Sequence, residues 1–484
     1  AGSLPALFAQ AGPAIRLLRM GRPGVERALN LARSNAQYHR WLAHDAITSD
    51  DRYAMARLLK AFEQKPLISI LMPVCDAPEA VLRKAIESVC RQGYPHWQLC
   101  IADDASTQPY VQKVLAEYAA REPRLVIARR EVRGHIVAAS NSALAMATGE
   151  FIALLDHDDE LTEDALLLIA WQINQSPTVD ILFSDEDKID AAGRRFAPDF
   201  KPDWNPDLML AQNACGHLGV FRTSKVRHAG GFRMGTDGCQ DWDLALRMSE
   251  ATTLSRIAHL PFVLYHWRTA ATSTAGRPDA KEYAAEAACR VVAAALERRG
   301  KQAEVLQAPG NHVRVRYAVP TPLLPRVSIL ISGCSGESGA TTALVQQLLD
   351  GCPWPDLEIL VPMNGPPVTE GKAMLRYLPE LMHSSPAGQT NGLAVAATGT
   401  VLVLMHPALA APGSDALMEL VSQALRDEIG AVSPKLQEGS RIFQAGLILG
   451  LNGPAGAPYR GTFGTDAGVA GRAGLVQNRT VASE

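Results

Sequence analysis

Closely spaced acids directly after an apolar run are the clearest chemical signal in this chain. Asp156, His157, Asp158 and Asp159 follow the apolar segment 151–155. Carboxylates gathered at the end of a strand repel one another, so such a cluster usually holds a cation that offsets the charge. Oxygen ligands of this kind suit Mg²⁺ or Mn²⁺, which keep coordination positions open for diphosphate oxygens. The alternative is a solvated acidic turn that caps the next helix.

Two more acids, Asp103 and Asp104, follow the apolar segment 98–102. Carboxylates at this position can accept hydrogen bonds from a nucleobase N–H or from ribose hydroxyls, as acids do in dinucleotide-binding folds. The alternative is an ordinary helix cap or Asx turn made by Asp104 or Ser106.

A third acidic group opens a helix that is predicted to begin at residue 240. Asp241 is the candidate general base, which must reach a substrate hydroxyl directly. Alternatively, its charge only complements the helix dipole, because acids are common at helix starts. Asp243, two residues further on, is expected to support the loop.

His266 and Arg268 follow the apolar segment 261–265. Together they could supply an imidazole for a metal and a guanidinium for a diphosphate. Alternatively, His266 is structural and Arg268 forms a salt bridge.

The polar and aromatic stretch between the first acidic cluster and the candidate base is where contacts with an acceptor are expected. The candidate acceptor residues are Asp185, Glu186, Lys201, Trp204 and His217. Trp204 could equally belong to the core.

The elements that must position these side chains begin near residue 67. Short β-branched runs there alternate with segments of helical period, a pattern typical of βαβ units around a mostly parallel sheet. The predicted strands are 67–72, 98–102, 125–128, 150–155 and 180–184, and the predicted helices are 81–91, 137–147 and 163–174. The acids follow strands, at the edge where open α/β sheets bind ligands.

The apolar strands recur later in the chain as an internal repeat. The matched segments are 68–71 with 327–330, 95–101 with 353–359, and 151–154 with 401–404. The second copy has Val361-Pro362 and His406-Pro407-Ala408-Leu409 where the first has its acids. Because both copies keep the strands without needing the acids, the acids of the first copy are expected to serve chemistry.

Composition and charge exclude several classes of protein. Lys and Arg number 47 against 50 Asp and Glu, so no overall basic field favours nucleic acid. The longest apolar runs fall far short of the roughly 20 residues that a membrane helix needs. Eight cysteines without a CxxC pair predict reduced thiols and a cytoplasmic protein. Basic and apolar residues alternate in 1–65, which allows peripheral contact with the inner membrane; a solvated helix face is the alternative.

With these clusters in this order, the segment from 66 to about 275 resembles family-2 glycosyltransferases of the GT-A fold, especially bacterial enzymes that assemble surface polysaccharides. The segments that carry the resemblance are 70–74, 103–106, Gly134, Asn141, 156–159, 184–187, 230–232, 240–244 and 266–268. The family commonly has Glu-Asp at the base, whereas this chain has Gln240 before Asp241, a departure that leaves the base in place.

The resemblance implies roles for individual residues. The nucleoside pocket would be lined by Pro73, Asp76, Asp103 and Asp104. Asp158 would ligate Mn²⁺ or Mg²⁺ directly, Asp156 would contact the ribose or the metal, and His266 would complete the coordination. Arg268 would stabilise the leaving diphosphate, and Asp241 would be the base of an inverting displacement.

The implied function is transfer of a sugar from a nucleotide-diphosphate donor to a hydroxyl of a glycan acceptor, expected to be lipid-linked, in polysaccharide assembly such as that of O-antigen. A non-catalytic scaffold that holds nucleotide or glycan is the alternative. A nucleotidyltransferase is disfavoured because no glycine-rich loop with Arg and Lys follows the first strand.

The predicted fold class is α/β, with a Rossmann-like, mostly parallel sheet of the GT-A type. The predicted domains are an N-terminal helical region at 1–65, the catalytic GT-A domain at 66–275, a helical connector at 276–321, and a second GT-A-like domain at 322–484, degenerate or truncated. Within the connector, a helix at 281–299 and a strand at 313–317 are predicted.

Overall fold

The computed structural model of the protein contains two main sheets, each covered by helices. It describes residues 35–43, 45–269, 278–309, 312–319, 324–333, 339–352, 354–365, 368–370, 373–446, 448–449, 455–462, 472 and 475–477. The predicted basic helix within residues 1–65 lies largely outside the described residues, so its contact with a membrane stays a prediction. In the described part of the chain, no helix is both long and apolar enough to cross a bilayer.

The larger sheet has nine strands in the order β3-β2-β1-β4-β8-β6-β9-β5, with β7 paired to β6. Its strands are β1 (Ile68–Val74), β2 (Trp97–Asp103), β3 (Leu125–Arg129), β4 (Phe151–Leu154), β5 (Glu160–Leu161), β6 (Ile181–Ile189), β7 (Arg195–Asp199), β8 (Gly219–Arg222) and β9 (Ile257–Arg268). The longest pairings, β1 with β2 and β6 with β9, are parallel, whereas β8 runs antiparallel to both β4 and β6. The predicted α/β class with a mostly parallel sheet is confirmed.

The helices of this part connect the strands and cover the sheet. They are α1 (Ser49–Ala61), α2 (Glu79–Cys90), α3 (Pro109–Arg121), α4 (His135–Met146), α5 (Ala165–Gln175), α6 (Pro206–Ala211), α7 (Thr223–His228) and α8 (Gln240–Glu250). In α2, Leu82, Ala85, Ile86 and Val89 are buried at the spacing of one helix face, as predicted.

Alternate residues of the central strands supply two apolar clusters, one on each side of the sheet. Ile70 of β1 lies in the first cluster and its neighbour Leu71 in the second. The second cluster also takes in α9 (Pro278–Arg298) and the hairpin of β10 (Ala303–Ala308) with β11 (His312–Tyr317). The connector therefore packs on the same apolar core as α8, and the domain boundary at 275 stays a prediction.

The smaller sheet repeats the centre of the larger one. Its order is β14-β15-β13-β12-β16, with β12 (Val327–Ile331) parallel to both β13 (Leu357–Val361) and β16 (Val401–Met405). The other strands are β14 (Val368–Glu370) and β15 (Ala373–Tyr377), and the helices are α10 (Gly339–Gly351), α11 (Pro386–Ala396) and α12 (Ser414–Ala424). Two short hairpins follow, β17 (Leu436–Glu438) with β18 (Arg441–Gln444) and β19 (Ile448–Leu449) with β20 (Ala455–Gly456).

Buried hydrogen bonds show the repeat at the level of side chains. The Ser69 hydroxyl donates to Gln98 Oε1 at 2.8 Å and accepts from the backbone N–H of Gly149 at 2.9 Å. In the second sheet, the Ser328 hydroxyl donates to Glu358 at 2.5 Å and accepts from Gly399 N–H at 2.8 Å. The internal repeat predicted from apolar segments is thus present as the same contact between equivalent strands.

Candidate active site

A cavity at the carboxyl ends of β1 and β4 brings together residues that lie far apart in the sequence. Its volume is about 30 Å³, and its lining includes Pro73, Asp156, His217 and Asp241. Pro73 is the penultimate residue of β1, Asp156 follows β4, and Asp241 lies in the first turn of α8. The strand ends and the start of the helix therefore meet at one place, as expected for an open α/β sheet.

Asp156 is a half-buried acid surrounded by charge. Burial raises the pKa of its carboxyl group, and the negative charges of Asp158 and Asp241 act in the same direction, whereas His217 opposes them. Within the described residues the carboxylate accepts no hydrogen bond. A carboxylate in this setting favours a cation beside it, because a cation would relieve both the burial and the repulsion.

Asp156, Asp159 and His217 each offer a ligand atom, and these atoms lie within 4.8 Å of one another. The oxygens of Asp159 are already engaged, one by the Tyr265 hydroxyl at 2.6 Å and one by the backbone N–H of Arg268 at 2.7 Å. Burial also raises the pKa of Asp159 well above its usual range. The group fits a divalent cation by its donor chemistry, and Asp156 and His217 are its available members.

His266, the histidine predicted to complete the metal site, lies elsewhere. Its Nδ1 is 2.5 Å from Asp187 Oδ1, and Asp187 also accepts from the Tyr38 hydroxyl at 2.6 Å. His266 lines a second cavity of about 360 Å³ together with Arg195. Successive side chains of a strand point to opposite faces, and the neighbouring Tyr265 is the residue that stacks on the His217 ring, at 4.6 Å. The structure thus places His217, not His266, beside Asp156.

Arg268 makes hydrogen bonds to the acidic turn at residues 156–160. Its Nε donates to the backbone carbonyl of Asp158 at 2.9 Å, its Nη1 to that of Asp190 at 3.4 Å, and its Nη2 to the Glu160 carboxylate. The side chain is buried. In this arrangement the guanidinium positions the turn at residues 156–160, and the predicted contact with a diphosphate would require these bonds to break.

The acids predicted for the nucleoside pocket lie at the adjoining ends of β1 and β2. Asp76 Oδ1 accepts from Thr107 N–H at 2.7 Å, and Asp76 N–H donates to the Ser106 hydroxyl at 3.0 Å. Asp103 Oδ1 accepts from Ser106 N–H, three residues on, at 3.1 Å, so the local bond is made by Asp103 and not by Asp104 or Ser106 as a cap or Asx turn. Asp104 accepts from Arg130 Nε at 2.8 Å and from Gly134 N–H at 2.9 Å.

The candidate base is oriented by a residue that the sequence did not indicate. Asn213 Nδ2 donates to Asp241 Oδ2 at 2.6 Å, and Asn213 Oδ1 accepts from Gly216 N–H at 3.1 Å. Asp243 is buried and pairs with Arg247 at 2.7 Å, and Arg247 in turn donates to the Gly231 carbonyl at 2.6 Å. Asp243 thus supports the loop, as predicted.

Three of the predicted acceptor residues form a buried network behind His217. The Lys201 ammonium is 3.0 Å from Glu186 Oε2, and the same oxygen accepts from His217 N–H at 2.9 Å. Burial raises the pKa of Glu186, but the Lys201 charge and these hydrogen bonds outweigh burial and lower it. Asp185 accepts from Lys201 N–H at 2.8 Å. Trp204 packs against the second apolar cluster, in line with its interpretation as a core residue.

The sequence comparison decides the family. Residues 69–228 match the protein family described as Glycosyl transferase family 2. The chain therefore contains a family-2 glycosyltransferase domain. The match spans the sheet ends that carry Pro73, Asp156 and His217, and it ends before α8.

Two relatives match most of this chain and are longer than it. The chain is 36% identical over 438 residues to "Uncharacterized protein y4gI" of Sinorhizobium fredii, covering 88% of this chain and 48% of that protein. It is also 36% identical over 438 residues to "O-antigen biosynthesis protein RfbC" of Myxococcus xanthus, covering 88% of this chain and 34% of that protein. The chain thus spans half or less of the length of these relatives. The solved structure of S. aureus TarS 1-349 in complex with UDP-GlcNAc is 19% identical, with a TM-score of 0.39, covering 48% of this chain and 66% of that one.

Proposed function

We propose that the glycosyltransferase domain transfers a sugar, with inversion, from a nucleotide-diphosphate donor to a hydroxyl of a glycan acceptor, carried on a lipid, in the assembly of a bacterial surface polysaccharide. The observation that carries the proposal is the convergence of Asp156, His217 and Asp241 on one cavity of a family-2 domain. The O-antigen name of one relative supports the polysaccharide class.

Asp156, Asp158 and His217 are proposed to hold Mn²⁺ or Mg²⁺, which when bound would offset the charge of the leaving diphosphate. Pro73, Asp76, Asp103 and Asp104 would receive the nucleoside at the neighbouring strand ends. Arg268 would act through the backbone of the Asp158 turn, since its guanidinium is bonded there.

Asp241 is the proposed base. Its carboxylate takes the proton of the acceptor hydroxyl while that oxygen bonds to the anomeric carbon and the bond from this carbon to the diphosphate oxygen breaks. One displacement inverts the anomeric centre. Asn213 holds one oxygen of Asp241, so the other oxygen is the one that faces the acceptor. The Lys201 and Glu186 pair would keep the His217 loop in place.

The experiment is release of nucleoside diphosphate from a panel of UDP-, GDP- and dTDP-sugars, with oligosaccharide and lipid-linked acceptors, with and without Mn²⁺. Asp241→Asn should abolish transfer but not donor binding, and the matched control Asp203→Asn, at a side chain that is 97% exposed, should behave like the wild type. Binding of a nucleotide without turnover of any sugar donor would instead favour the non-catalytic scaffold.

A further inference from the structure

The short helix α6 lies between the second sheet and the candidate base. Asn205 caps it, because Asn205 Oδ1 accepts from Leu208 N–H at 3.0 Å, and Pro206 occupies its first turn. Every helical residue after Pro206 is buried, Asp207 included. A helix of six residues buried in this way takes its position from its neighbours, since so short a helix is not stable alone.

On one side, α6 contacts the helix that carries the base. Trp242 Nε1 donates to the backbone carbonyl of Met209 at 2.7 Å, and Trp242 is the direct neighbour of Asp241. Asn213, two residues beyond the end of α6, donates to the Asp241 carboxylate and accepts from Gly216. A shift of α6 would therefore move both the first turn of α8 and the amide that orients the carboxylate.

On the other side, α6 contacts Arg426, which lies just after a helix that covers the second sheet. Arg426 follows α12, whose Leu417 and Val421 belong to the apolar cluster of the second sheet. Arg426 Nη2 is 2.8 Å from Asp207 Oδ1, and the two side chains are only 8% and 7% exposed. The same guanidinium lies over the Tyr317 ring at 4.6 Å and donates to Gln423 at 2.7 Å. Arg426 Nη2 also lies 3.1 Å from Glu428 Oε1, so this guanidinium joins α6 to the chain that follows α12.

We propose that the second unit, meaning the smaller sheet with its helices and the residues that follow them, positions the candidate base Asp241 of the first. This unit lacks the acids that follow the strands of the first copy. Arg426 fixes Asp207, α6 transmits this position, and Trp242 and Asn213 set the place of Asp241. This inference rests on the proposed function. It makes Arg426 a positioning residue that lies outside the family-2 domain, and it gives the second unit a role that requires no metal site.

The test compares Arg426→Met with Arg326→Ala in the full chain. Arg326 is the matched control because its partners, Asp356 and Thr398, both lie in the second unit. We expect Arg426→Met to lower kcat for transfer about 10- to 100-fold, the effect of a small misplacement of a reacting group. The KM for the sugar donor and the affinity for the nucleoside diphosphate with Mn²⁺ should stay within about twofold, because none of the residues proposed to bind the donor lies in α6. Arg326→Ala should leave all three unchanged.

Two further variants separate the possible failures. Arg426→Lys keeps the charge but loses the planar guanidinium, so its kcat should be intermediate; this variant also serves if Arg426→Met does not fold. In an Asp241→Asn background, in which transfer is abolished, Arg426→Met should leave the affinity for the nucleoside diphosphate with Mn²⁺ unchanged. If Asp241→Asn is active, the proposed function fails. Two results overturn the positioning role when Asp241→Asn is inactive. In the first, Arg426→Met and Arg426→Lys both have the kcat of the wild type. In the second, both variants lower kcat and donor affinity equally.

Discussion

At the scale of the residue, the site depends on which side chains face the cavity. Asp156 and Asp241 converge there, and the Asn213 amide ties the carboxylate of Asp241 to the loop that carries His217. This amide bonds a charged acceptor, and such hydrogen bonds contribute more than neutral ones.

We predict that Asn213→Ala lowers kcat for sugar transfer by about 10- to 100-fold, the equivalent of a hydrogen bond to a charged group. The donor KM should change little, because Asn213 contacts the base and not the strand ends. The measurement is steady-state kinetics, and the control variant is Asn174→Ala. That substitution removes an amide that donates to the Gln64 backbone carbonyl and does not contact Asp241. Equal kcat values for the two variants would contradict the role of Asn213.

The two histidines give a second prediction. His217→Ala should raise the Mn²⁺ concentration for half-maximal activity at least about tenfold, because a metal ligand is lost. His266→Ala should leave the metal requirement unchanged and lower the melting temperature, because buried Asp187 loses a partner. A Mn²⁺ titration of the activity of both variants distinguishes the two histidines. An increased Mn²⁺ requirement in His266→Ala, with none in His217→Ala, would identify His266 as the ligand.

These residues show which parts of the candidate site could be predicted from the sequence and which could not. The acids could be predicted because they follow apolar strands and are missing from the second copy. The choice between His217 and His266 could not be predicted. It depends on which face of β9 the His266 side chain takes, and on the loop that carries His217 and is held by the Lys201 and Glu186 pair. Asn213 carried no signal, since it stands alone in a loop.

At the scale of the element, strands found from apolar runs were the most predictable part. The prediction for β6 stopped at residue 184, whereas the strand continues to Ile189 and places Asp185 and Glu186 within the sheet. Helix α3 was missed although its buried Val111, Val114, Leu115 and Tyr118 follow a helical period that would have revealed it. Strand β8 has only four residues, too few for a periodic signal.

The entry to β4 offers a prediction about packing. A Cβ atom at Gly149 would lie 2.5 Å from the Leu67 carbonyl oxygen and 2.8 Å from the Ser69 nitrogen, both of them backbone atoms. Gly149→Ala should therefore destabilise the fold by about 1–3 kcal/mol and lower the melting temperature. Gly351→Ala, at the end of α10 with no atom within 4 Å of the added carbon, should be close to neutral. A melting temperature unchanged by Gly149→Ala would show that the strands can separate without cost.

At the scale of the whole molecule, the connector belongs to the core of the larger sheet. Val291, Val292 and Ala295 of α9 are almost fully buried in the cluster that also holds Trp242 and Leu244. Residues on both sides of the boundary predicted at 275 share this cluster. The sequence did not indicate this packing, because helix periodicity shows that a face is buried but not against what.

This continuity predicts the behaviour of fragments. A fragment of residues 66–275 should aggregate or melt well below the intact chain, because it exposes the apolar surface that α9 covers. A fragment of residues 35–319, which keeps α9 and the β10–β11 hairpin, should be soluble and melt cooperatively. Size-exclusion chromatography and thermal melts compare them. A stable, monomeric 66–275 fragment would contradict this view of the core.

The serine contact that recurs at Ser69 and Ser328 has a practical consequence. Because β1, β2 and β4 are arranged as β12, β13 and β16 are, a substitution in these strands of the first sheet has a counterpart in the second sheet, where no chemistry is proposed. Gly149 corresponds to Gly399 and Gln98 to Glu358, so damage to the scaffold can be told from damage to the reaction inside a single polypeptide. The second sheet thus serves as an internal control for substitutions in the first.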